Sequence, residues 1–169
     1  MAYLFPAHQF AVLSSDHSIS STTATEVTGL SLTLPAAGTY LFDYRLIVQT
    51  SGTTVGILFG INFTGTHTKL VSNLLFPSNS STDATGTLST NDPTGPLVAN
   101  LVTTTAESTT APSFNAVGAF TAADTDAMVH IFGTVVVTAT GDLELWHSSD
   151  SAAETRVENG STVVVRRLT

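Results

Sequence analysis

The chain has no cysteine in 169 residues. Disulfides and thiolate metal sites are excluded, and with them a disulfide-built secreted scaffold, while the compartment stays open. Basic residues are almost as scarce: five Lys and Arg stand against thirteen Asp and Glu, for a formal net charge of −8. Nucleic acid and anionic membranes both need a basic patch, so neither is expected as a partner. No apolar run approaches the roughly 20 residues of a membrane helix. The N-terminal MAYLFPAHQF lacks the basic flank and long apolar stretch of a signal peptide. Charged residues make up only 11% of the chain, and the shortage of Lys, Glu and Gln removes the usual solvent face of a helix.

What is abundant is hydroxyl: 18 Ser and 30 Thr. Threonine favours strands, and a surface of hydroxyls suits uncharged contacts between subunits. A chain of this length buries about 70% of its unfolded surface and needs no metal to be stable. The strongest pattern lies in residues 38–66. Tyr40, Phe42, Tyr44, Leu46 and Val48 sit on alternate positions with Asp43, Arg45 and Gln49 between them, and Val55, Ile57, Phe59, Ile61 and Phe63 alternate again. Strand side chains point to opposite faces with period 2, so each run has one apolar face. The link Thr50–Thr54 has turn composition, which predicts a central antiparallel hairpin.

Further short runs follow the same rule. Residues 10–13, 30–34, 67–76, 97–105, 127–138, 142–147 and 161–168 read as strands, 114–119 reads as a short strand or part of a long connection, and Asn159-Gly160 reads as a hairpin turn between 152–158 and 161–168. Gly133 interrupts its run and predicts a bulge or a close backbone approach. Residues 77–96 and 106–113 are loop-like. With no amphipathic helix and no internal repeat, the expected fold is all-β. It is an antiparallel two-sheet sandwich, jelly-roll-like, of roughly eight to ten strands. Residues 1–9 are expected as an N-terminal arm or edge segment and 10–169 as one β-sandwich domain.

Little in the chain looks catalytic. There is no Gly-x-Ser-x-Gly elbow and no phosphate-binding glycine loop. Of the five histidines none forms a His-x-His or His-x₃-His pair; His130, in an apolar run, is the one that stands out, with a metal ligand and an interface hydrogen-bonder as alternatives to the expected satisfied core or edge histidine. Asp124 with Asp126, and Asp142 with Glu144, share a face if extended, but the six to eight oxygens of a Ca²⁺ site are not visible. The expectation is therefore no catalytic residue, no metal and no cofactor. Tyr3, Leu4 and Phe5 are aromatic and apolar side chains costly to leave in water, and they suggest an arm on a neighbouring subunit. Gly56 and Gly60 leave one face of Val55–Phe63 nearly bare, which predicts that another element or a symmetry-related subunit packs there. Tyr3, Leu4, Phe5, Gly56, Gly60 and His130 are thus the expected interface residues.

Residues 25–42 (TEVTGLSLTLPAAGTYLF), the strand 53–62 (TTVGILFGIN) and the ending Gly160–Leu168 resemble segments of small structural proteins of tailed bacteriophages. The resemblance covers most of the chain and is loose over 77–125. The step Gly38-x-Tyr40-x-Phe42 is similar to the jelly roll of tumour necrosis factor and complement-type globular heads. The resemblance implies a virion structural protein, a capsid cement or decoration protein on the outer surface of the head. It also implies a homotrimer bound to the major capsid protein. A tail or receptor-binding head domain, with loops 77–96 and 106–113 meeting a host glycan or protein, is the alternative.

Overall fold

The computed structural model describes residues 8–52, 54–75, 102–104, 114–117 and 123–168. Every regular element among them is a strand: β1 (His8–Val12), β2 (His17–Ile19), β3 (Thr25–Glu26), β4 (Leu32–Leu34), β5 (Gly38–Thr50), β6 (Ile57–Phe63), β7 (His67–Leu75), β8 (Val102–Thr104), β9 (Phe114–Val117), β10 (Ala127–Val137), β11 (Gly141–Ser149), β12 (Thr155–Val157) and β13 (Thr162–Arg167). They form two antiparallel sheets packed as a sandwich. The eight-stranded sheet runs β1-β13-β5-β10-β7-β8, with β2 and β12 beside β5; the five-stranded sheet runs β3-β11-β6-β9, with β4 on β11.

The connectivity has a simple logic. β4 pairs β11, β5 pairs β10, β6 pairs β9 and β7 pairs β8. These four pairs nest inside one another along the chain and alternate between the sheets. One long two-stranded ribbon has been rolled up, which is the jelly-roll arrangement.

The alternation in residues 38–63 is realised as written, but the hairpin is not. β5 lies in the large sheet and β6 in the small one. Val55 N–H donates to the Gly52 carbonyl in a turn that carries the chain across the sandwich. A hairpin would set both apolar faces side by side with nothing opposite. Crossing lets Phe42, Tyr44 and Leu46 face Phe59 and Ile61 across one core, where all five are buried.

Asn159-Gly160 is also not a hairpin turn. β12 and β13 both run along β5, Val157 opposite Val48 and Thr162 opposite Arg45. Residues 158–161 therefore bulge out of a single long row, and Gly160 supplies the left-handed backbone at φ +83°. The Ser161 hydroxyl repairs the interrupted ladder: it accepts from Ile47 N–H at 2.9 Å and donates to the Ile47 carbonyl at 3.3 Å. On the other side of that row, β1 and β2 keep one register, Val12 opposite Thr162 and His17 opposite Val157.

Gly133 marks the close approach expected of it. A Cβ there would meet the Val71 carbonyl oxygen at 2.1 Å and the Phe42 ring at 2.5 Å. The register shift in β10 falls elsewhere, at Val136/Val137 against β7.

Candidate functional site

Two places gather side chains that the fold does not need for simple packing. The first lies between the sheets. Leu143, Leu145 and His147 share the inward face of β11, and all three are fully buried. His17, at the start of β2, reaches the same region, its ring 5.0 Å from that of His147 and nearly perpendicular to it. Phe59 lies on the far side, 6.3 Å away. Both ring nitrogens of His147, Nε2 of His17 and the Thr155 hydroxyl lack a hydrogen-bond partner among the described residues. The Thr155 backbone lies close enough to favour a proton on His147, but without hydrogen-bond alignment. Burial and the neighbouring His17 prevail and push His147 down to about 3. Burial also lowers His17, against the pull of Glu26. His147 is thus a neutral imidazole enclosed in the core, and His17, half-buried, lies at its edge. Tyr44 is similar: its buried hydroxyl is pushed well above the phenol range, by burial first and then by Glu144 and Glu26.

The second place is the outer face of the large sheet. Alternation sends Tyr40, Phe42, Tyr44, Leu46 and Val48 inward and Leu41, Asp43, Arg45, Ile47 and Gln49 outward. The neighbouring strands add Phe10 and Val12 (β1), Val164 and Arg166 (β13) and Met128, His130 and Phe132 (β10) to the same surface. Phe10 is 73% exposed, Met128 57%, Val12 50% and Val164 41%. These are four of the five exposed large apolar side chains among the described residues, so exposure is concentrated rather than scattered. A shallow groove of about 340 Å³ runs between His8, Leu41, Asp43, Phe132, Val164 and Arg166. His130 sits at its margin, with Nε2 3.0 Å from Asp43 Oδ2 and its ring 4.8 Å from that of Phe132. Asp43 also holds Arg45, two positions along the same strand face, at 3.2 Å.

The residues singled out in the sequence do not converge. Tyr3, Leu4 and Phe5 lie outside the described residues, as do the loops 77–96 and 106–113. Gly56 is buried where the chain enters β6, and its carbonyl accepts from Asp150 N–H. Gly60 is buried on the outer side of the small sheet, directly opposite Trp146 of β11. The bare face foreseen for Val55–Phe63 is thus partly covered within the chain. Glu144 accepts from Asn62 Nδ2 at 2.8 Å and from Trp146 Nε1 at 2.9 Å across it. His130 lies on the opposite outer face of the sandwich. The carboxylate pairs serve the surface: Asp142 accepts from Thr33 and Asp126 from Gln49. Among the described residues no three His, Asp or Glu side chains are grouped to hold a metal.

Sequence reasoning missed the His17–His147 pair and the apolar outer face. His147 stood in an alternating apolar register, but nothing in the chain marked its partner 130 positions earlier.

No family model matches the chain, and no curated protein does. Among solved structures, a chain of infectious bursal disease virus Gt strain is 11% identical over 97% of this chain and 38% of its own, with a TM-score of 0.28. The Gx strain gives 12% identity, 97% and 37% coverage and a TM-score of 0.28. The VP2 subviral particle of the same virus gives 10%, 95% and 40%, with a TM-score of 0.25. This chain thus spans about two-fifths of the length of those chains. Likeness at this level bears on neither function nor partner.

Proposed function

We propose that the chain is a non-enzymatic structural protein of a virion. In this reading it is a cement or decoration protein, held as a homotrimer on the outer surface of a bacteriophage head against the major capsid protein. The observation that carries the reading is the concentration of exposed apolar side chains, Phe10, Val12, Met128 and Val164, on one face of a rolled β-sandwich. A monomer in water rarely leaves such a surface uncovered. The imidazole of His147 is fully buried, out of a substrate's reach. The resemblance of residues 25–42, 53–62 and 160–168 to small phage structural proteins supports the same reading. Many copies bound side by side strengthen a shell without any single strong contact. Immunogold electron microscopy of virions tests this: label over the head surface is expected, and label confined to tails overturns it.

A further inference from the structure

The charges of the described residues are sorted in space. The chain's five basic residues, Arg45, Lys69, Arg156, Arg166 and Arg167, all belong to strands of the large sheet. Alternation turns Arg45, Lys69, Arg156 and Arg166 to the outer face, the one that carries Phe10, Val12, Met128 and Val164. The small sheet has no Lys or Arg among its described strands, and Glu26, Asp142 and Glu144 occupy its outward positions.

The sorting continues along the strands. Arg166 stands opposite Leu41, and Lys69 opposite Val136, itself opposite Thr39, so these cations mark the β5 start. At the other end, Asp126 accepts from Gln49, Asp124 N–H donates to the Thr50 carbonyl, and the Glu154 carbonyl accepts from Ser51. The one cation there, Arg156, is clamped by Glu154 through two hydrogen bonds of 2.9 and 3.1 Å. That leaves Asp124, Asp126 and Glu158 in excess. From the row of Leu41 to that of Gln49 the sheet extends about 27 Å at 3.4 Å per residue. The screening length at physiological salt is about 8 Å, so the two poles do not neutralise each other within one copy.

We propose that this face is a self-association surface on which the basic end of one copy docks against the acidic end of the next, with the apolar middle covered between them. Placing like ends together would set Arg166 against Arg166. Placing unlike ends together satisfies both poles and buries Phe10, Val12 and Val164. Repeated from copy to copy, such a head-to-tail contact closes into a ring. The inference deepens the proposed function, since it rests on copies of the chain meeting one another.

The test is sedimentation velocity of the full chain over a concentration series, at about 50 mM and about 500 mM salt. Oligomers are expected at low salt, with an apparent dissociation constant at least about tenfold weaker at high salt. Arg166→Glu and Asp126→Lys should each weaken assembly about tenfold, and the double variant should restore it, because the swapped poles again match. Both sites are exposed, so the variants fold. Phe10→Ser should weaken assembly with the salt dependence unchanged. An oligomer indifferent to both single charge reversals overturns the inference, as does a double variant weaker than either. A chain monomeric at every concentration overturns it too, and head labelling would still leave the structural role standing. An oligomer that follows the charge swap while the label is confined to tails would sink the head role and leave this surface in place.

Discussion

Acid should loosen this protein through His147. Unfolded, the imidazole titrates near 6.5; folded, it is held at about 3. Between those values the unfolded chain binds a proton that the folded chain refuses, so stability falls as the pH falls. The contribution of a neutral His147 is complete above about pH 6.5 and stops changing below about pH 3. Within the window the slope is about 1.36 kcal/mol per pH unit. Going from pH 7 to about pH 4.5 crosses about two units, a loss of about 2.7 kcal/mol from this one ring. Against a typical total of about 5–15 kcal/mol, that is a large fraction. His17 is lowered in the same direction and adds to the loss. Glu158, raised by burial and by Asp16, works the other way. The sole tryptophan, Trp146, reports unfolding by fluorescence. Urea titrations across this range should show wild-type stability falling with pH, and His147→Gln should flatten the slope by up to about 1.36 kcal/mol per unit. Parallel slopes for the two proteins would refute the assignment.

Three further outcomes follow from packing. Gly133→Ala should cost about 1–3 kcal/mol in urea unfolding, because its Cβ would press on the Val71 carbonyl and the Phe42 ring; unchanged stability would mean that β7 and β10 are not that close. Ser161→Ala should cost about 1–3 kcal/mol, since Ile47 N–H loses its acceptor in the bulge. Hydrogen exchange at Ile47 should then quicken more than at Tyr44. Gly60→Leu should displace Trp146 and destabilise by about 1–3 kcal/mol, read as a shift in its emission maximum; an unmoved spectrum would show that the indole does not use that space.

The sequence by itself determined the strands and their faces. Period-2 alternation placed Phe42, Tyr44, Phe59, Ile61 and Leu145 inside, and each is buried. The shortage of helix-forming surface residues set the all-β class. The close approach at Gly133 was legible because it is local, a matter of a missing side chain. Only the tertiary structure decided which sheet each strand joins. An alternating strand has the same pattern whichever sheet receives it, and the link after Thr50 suits a hairpin or a crossing equally well. For the same reason Asn159-Gly160 read as a turn: a bulge that feeds two strands to one partner needs the same glycine. The His17–His147 pair and the charge-sorted outer face depend on residues more than a hundred positions apart. Their meeting is fixed by how the ribbon rolls, and a one-dimensional pattern carries no record of that.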